Sequence, residues 1–304
     1  MRESNKAIIY GLIAVLSWST VATMFKTALK YYTHFEMLIV ATLTSLIVFA
    51  IALTVRSGWH ELKMLTQKDW GRFALIGLIN PLAYYLVLFK AYDLLPAQIA
   101  QPINYFWPII LLILLAIFAK QPIAPHKYIG MALSLGGVTL ISFGSGSIGG
   151  NDLSVAGIGL AFLSAFLWAI YWIINSKNKR FSDITVLFVS FLFGSIYLCT
   201  AACFIPVSLF SVKGFLSSMY VGMFEMGIPF IFFGLAIRKT TNPALVNQLC
   251  YLSPFLSLFL IHLFLGEHIY PTTYIGLLLI VTGIAFNEWV SIRKQRAANI
   301  VSKN

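Results

Sequence analysis

Apolar residues fill runs of about 20 positions along this chain, and short polar stretches separate them. Ten runs stand out, at about 7–28, 35–55, 71–91, 96–118, 126–143, 153–175, 183–207, 215–237, 243–265 and 271–290. A helix of about 20 residues is long enough to cross the hydrocarbon of a bilayer. The runs lack the strict alternation of a β-barrel, and lipid tolerates only helices or closed barrels. The pattern predicts an all-α integral membrane protein with ten transmembrane helices.

The exceptions inside the runs carry the chemistry. In the fourth run the stretch INYFWP (103–108) follows Gln98, Gln101 and Pro102. On a helix, Gln98, Gln101, Asn104, Tyr105 and Pro108 share one arc of about 120°, with Trp107 at its border. Isoleucines and Phe106 fill the other side. Such a helix must turn its polar side to a cavity or a partner helix. Each proline also leaves the carbonyl four residues earlier without its helical donor. Similar stripes recur: Trp18 in the first run, Asn80, Tyr84 and Tyr85 in the third, Trp168, Tyr171 and Trp172 in the sixth, Asn247 and Tyr251 in the ninth. Together they outline a small-molecule cavity of aromatic faces and a few amides. Other aromatics have a plainer use. Trp59, Trp70 and Trp289 flank runs and are expected to anchor at the membrane interface. Gly130, Gly136 and Gly137 are expected to let helices approach closely.

An internal repeat organises these stripes. At an offset of 146 residues, Gln101 falls on Asn247, Tyr105 on Tyr251, Pro108 on Pro254, and Tyr128-Ile129-Gly130 on Tyr274-Ile275-Gly276. The Gly/Ser-rich stretch 144–152 lies at the joint, dividing the chain into halves 1–145 and 146–304. Five spans per half force the second half to enter the membrane from the opposite side. Inverted repeats of this kind place a solute site near the midplane between them.

Charge then sets orientation. The chain is 59% hydrophobic and only 10% charged, with net charge +11. The excess sits in short loops and tails, so it is not read as a nucleic-acid footprint. Of 21 Lys and Arg, only Lys26, Lys30, Lys90 and Lys213 fall on one side of the ten-span topology. The positive-inside rule puts the other side, with both termini, in the cytoplasm. The first run is read as a retained helix rather than a cleaved leader. The three cysteines, Cys199, Cys203 and Cys250, lie in apolar helices and are expected to be neither disulfide-bonded nor metal-bound.

Glu225 is the sharpest single residue, a carboxyl well inside the eighth run. A charge at mid-membrane costs about 2.5–3.5 kcal/mol on insertion scales, so it should face a cavity or a partner. It is a candidate for solute binding and for proton coupling, and Lys26 is a candidate structural partner. His262 is a weaker candidate for proton coupling. Pro229 should free the Glu225 carbonyl. Glu225, His262 and Cys250 are the only candidates for intramembrane catalysis, and no motif links them, so an enzyme is not expected. No ATP-binding loop is present, so transport would be passive or ion-driven. No cofactor is expected. The expected partners are a small-molecule substrate and lipid, with the chain acting as a monomer.

At these residues the chain resembles the drug/metabolite transporter superfamily in its EamA-type ten-helix form. The stretch PFLSLFLIHLFLGEHIYPTTYIGLLLIVTGI (254–284) is similar to that family's closing pattern. YGLIAVLSWST (10–20), INYFWP, FLSAFLWAIY (162–171) and NKRFSDITV (178–186) resemble the aromatic amino acid exporter (YddG-type) branch. The resemblance implies a bacterial inner-membrane exporter of amino acids or related metabolites, with Tyr105, Trp107 and Trp168 lining its cavity. Around Glu225 the chain departs from that branch. An acid there suits an amino-bearing or choline-like cation, held also by cation–π attraction, and both substrate classes stay open.

Overall fold

The computed structural model describes residues 3–118, 125–149, 154–175, 178, 180–239, 249–250 and 252–301, and among these it contains helices and no strand. In order they are α1 (Glu3–Leu29), α2 (His34–Val55), α3 (His60–Lys63), α4 (Gln67–Gly77), α5 (Tyr84–Leu94), α6 (Ala97–Asn104) and α7 (Trp107–Phe118). Then come α8 (Pro125–Gly149), α9 (Val155–Asn175), α10 (Asp183–Ala202), α11 (Val212–Val221), α12 (Ile228–Lys239), α13 (Leu252–Leu265) and α14 (Pro271–Val301). Short π-helical segments, Leu78–Ala83 and Gly222–Gly227, join α4 to α5 and α11 to α12.

Seven helical stretches are long and apolar enough to cross a membrane: Asn5–Leu29, His34–Val55, Gln67–Leu94, Ala97–Phe118, Val155–Asn175, Asp183–Ala202 and Val212–Lys239. Shorter apolar helices cover Lys127–Ile141, Leu252–Leu265 and Pro271–Asn287. All of them fall on runs read from the sequence. Helix starts follow local chemistry. Thr33 with Glu36, and Thr66 with Asp69, form capping boxes that satisfy the first free amides of α2 and α4. Ser182 and Ser211 cap α10 and α11 with their hydroxyls.

Prolines decide where the long helices bend. The fourth span breaks at Tyr105 and Phe106, between α6 and α7, just before Pro108. The residue before a proline is pushed out of the helical region. Asn80, directly before Pro81, has φ −137° and ψ 116°, and the third span kinks there. The eighth span carries its π-helical turn just ahead of Pro229. The Glu225 carbonyl, four residues before that proline, accepts the indole N–H of Trp18 at 3.1 Å.

Pairing is close where residues are small. α8 lies along α14, α2 along α10, α5 along α9, and α1 along both α12 and α13. A Cβ at Gly130 would collide with the Gly283 carbonyl, and one at Gly137 with the Gly276 carbonyl. Ser134 Oγ donates to the Ile280 carbonyl across the same contact at 3.2 Å. Gly136, expected to share this role, has open space beside it instead. Trp59 and Trp289 stand half exposed, the latter under the Arg293 guanidinium, 4.0 Å from its ring. Trp70 instead packs edge-on against Phe193, with ring centroids 6.0 Å apart.

Candidate functional site

A cavity of about 610 Å³ lies inside the bundle. It runs from Phe25 and Tyr92 at one end to Lys127, Phe233 and Ile292 at the other. Its size matches the usual range for small-molecule pockets, about 300–1,000 Å³. The walls come from α1, α5, α6, α7, α8, α9, α12 and α14, with Glu225 from the second π-helical segment.

Aromatic rings make most of one wall. Trp168 of α9 stacks on Tyr84 of α5 with centroids 4.6 Å apart, and packs against Phe230 at 5.7 Å. Trp107 and Trp172 stack nearly parallel, 6.2 Å apart and 11° off. Trp18 closes the far side against Phe230 and Phe233. Rings that support one another in this way present rigid faces with few torsions left to freeze when a solute arrives.

The polar groups are few and each is set by neighbours. Tyr84 donates its hydroxyl to Asn104 Oδ1 at 3.4 Å, and Asn104 Nδ2 donates to Ser164 Oγ at 2.9 Å. Ser164 in turn donates to the Ala161 carbonyl at 2.7 Å, which fixes the direction of the chain. Glu225 Oε1 accepts the Tyr85 hydroxyl at 3.3 Å. Among the described residues Glu225 has no ion-pair partner, and Lys26 donates instead to the Tyr92 and Leu95 carbonyls. Gln101 lines the cavity, and its Oε1 is buried with no hydrogen-bond partner among the described residues. A half-buried carboxylate and an open carbonyl acceptor are both suited to a donor-bearing solute.

Of the residues singled out in the sequence, Trp18, Tyr84, Gln101, Asn104, Tyr105, Trp107, Trp168, Trp172 and Glu225 share this lining. Others do not. Asn80 is 1% exposed at the kink of the third span and stands outside the lining. Tyr171 packs behind Trp168, and Tyr85 reaches the cavity only through its bond to Glu225. His262 is exposed, and its Nδ1 pairs with the Glu267 carbonyl at 2.9 Å, away from the cavity. Asn247 and Tyr251 lie outside the described residues. The lining also includes Phe25, Leu88, Tyr92, Phe230, Phe233, Cys250 and Asn287, which a search for polar stripes passes over. Among the described residues no cluster of His, Cys, Asp or Glu could hold a metal, and none of the three cysteines forms a disulfide.

Membrane-length apolar helices around a chamber of this size define a multi-pass membrane protein with an internal cavity. Two segments, 5–143 and 155–288, match the EamA-like transporter family, and the chain belongs to it. An uncharacterized transporter of Bacillus subtilis, YvbV, is 25% identical over 98% of this chain and 96% of its own length. A probable terminal-alkyne amino-acid exporter of Streptantibioticus cattleyicolor is 21% identical over 97% of each chain. A solved crystal structure superposes with a TM-score of 0.69 at 21% identity, covering 96% of this chain and 99% of that one, which shows the shared fold.

Proposed function

We propose that the chain is a secondary transporter that works by alternating access, exporting aromatic or neutral amino acids or related small metabolites across the cell's inner membrane. The observation that carries this is the aromatic cavity with one carboxylate in its wall that has no ion-pair partner among the described residues. Stacked rings suit a flat apolar body, and Glu225 suits the ammonium that every amino acid carries. The amino-acid exporter among the relatives agrees in substrate class. The resemblance to the aromatic amino acid exporter branch rests on the motifs quoted above.

Ten spans in two inverted halves, 1–145 and 146–304, are part of the proposal. The glycine contacts of α8 and α14 support it. Gly130 meets Gly283 and Gly137 meets Gly276, while the 146-residue offset turns Gly130 into Gly276 and Gly137 into Gly283. A contact that maps onto itself when its partners are exchanged is the mark of a two-fold relation. The helix pairs agree: the first span packs on the eighth as the third packs on the sixth. Both termini are placed in the cytoplasm by the Lys/Arg bias.

A second reading is favoured by Glu225 itself. Within an aromatic wall, one carboxylate with no ion-pair partner among the described residues suits choline-like or other amphipathic cations. In that case Glu225 also serves as the group that exchanges solute for a proton. Flux into proteoliposomes, with phenylalanine and choline as competitors, tests both. Competition by phenylalanine supports the amino-acid reading and competition by choline the cationic one. Transport inhibited by neither, and by no other amine, would overturn the site.

A further inference from the structure

The cavity stops at Phe25 and Tyr92, whose rings meet edge-on at 5.0 Å. Beyond them, toward the Lys/Arg-poor face, a set of hydrogen bonds ties the bundle together. Gly266, at φ +68°, ends α13 in a conformation that favours glycine, and its N–H returns to the His262 carbonyl at 3.1 Å. The reversal aims Glu267 at the start of α6. There its carboxylate accepts the free amides of Ala97 at 3.2 Å and Gln98 at 3.4 Å. A carboxylate at a helix N-terminus satisfies orphan donors and matches the helix dipole.

Gln98 completes the connection from the other side. Its Nε2 donates to the His268 carbonyl at 2.8 Å. Its Oε1 accepts the Tyr270 amide at 3.2 Å and the Thr273 hydroxyl at 3.3 Å. Gln98 is 2% exposed, and Leu95 beside it 1%. Lys26 braces the same layer by donating to the Tyr92 and Leu95 carbonyls at 2.8 and 3.0 Å. The partners of Gln98 and Glu267 are 170 or more residues away in sequence for most of these bonds, so two distant parts of the chain are clasped.

We propose that Gln98 and Glu267 are positioning residues of the transport cycle, a latch that holds the chamber shut at the Lys/Arg-poor face and must part for solute to pass there. The proposal rests on the cavity being the transport chamber. Neither residue touches the cavity wall, so neither is expected to set which solute binds. Breaking the latch should raise the population open to that face and leave the chamber intact.

The test uses the full chain in sealed vesicles, with Cys199 and Cys203 replaced by Ser, so that Cys250 in the cavity wall is the remaining thiol. A membrane-impermeant maleimide is applied to each face in turn. Q98A removes three bonds and should speed labelling from the Lys/Arg-poor face by about tenfold; E267Q should give about threefold. Lys90→Gln, on the same face but outside the latch, should change nothing. Labelling from the opposite face should not accelerate in any variant. Equal acceleration from both faces would mean general loosening and would overturn the latch. So would unchanged labelling in both variants while Cys250 of the parent reacts from the Lys/Arg-rich face. No reaction from either face in the parent would overturn the chamber, and the latch with it.

Discussion

The third and eighth spans share one device and use it to opposite ends. Each is two α-helices joined by a short π-helical segment next to a proline. In the third span Asn80 sits directly before Pro81, leaves the helical region and is 1% exposed outside the cavity lining. In the eighth, Glu225 sits four residues before Pro229, keeps its place in the π-helical turn and stands in the cavity wall. Asn80, directly before its proline, has left the helical region, whereas Glu225, four before its own, loses only a donor to its carbonyl. Trp18 supplies the missing donor. The two kinks thus leave one polar group packed inside the bundle and the other in the cavity wall.

Substitutions can break this contrast or sharpen it. E225Q should have the largest effect, weakening an amine-bearing solute by about 30-fold, because the charge partner in the cavity wall is lost. Isothermal binding or flux measures it, and a change below threefold would remove Glu225 from the site. Trp168→Ala opens the stacked wall and should weaken binding by about tenfold with expression retained. Asn80→Ala should behave in the opposite way, with a stability loss of about 1 kcal/mol from lost packing and solute affinity within about twofold. A large affinity loss there would erase the difference between the two kinks. Trp18→Phe keeps the ring but leaves the Glu225 carbonyl without its donor, and should lower thermal stability by about 1 kcal/mol.

The smallest effect concerns a carboxylate outside the spans. Burial alone would raise the Glu61 carboxyl. Hydrogen bonds from the Ser182 amide and from the Thr185 and Ser182 side chains outweigh it and hold the group below its ordinary value. Its stabilisation is present above the unfolded value of 4.5 and is lost as pH falls through the lower folded value. E61Q should flatten that acid limb of the melting profile and leave neutral-pH solute affinity unchanged.

The helices were legible because lipid demands long apolar runs, and every described apolar helix falls on one. The chamber was legible in part. Trp168, Tyr105 and Glu225 stood out because polar or amphipathic groups at that depth need a reason. Asn80 and Tyr171 carried the same signal, yet Asn80 and Tyr171 face each other instead of the cavity. Facing depends on where each kink rotates the helix, and a uniform 100° per residue does not hold across a π-helical turn. Phe230 and Phe233 were silent for the converse reason, since an apolar ring in an apolar run has no contrast. The Gln98–Glu267 clasp joins residues far apart in sequence, and no local pattern announces it.

Protection of Cys250 by solute tests the chamber most directly. In the C199S/C203S protein reconstituted into liposomes, impermeant maleimide should react with Cys250, and a saturating concentration of a transported solute should slow that reaction. If a solute that the protein demonstrably moves leaves the labelling rate unchanged, the solute travels elsewhere and the chamber assignment is contradicted.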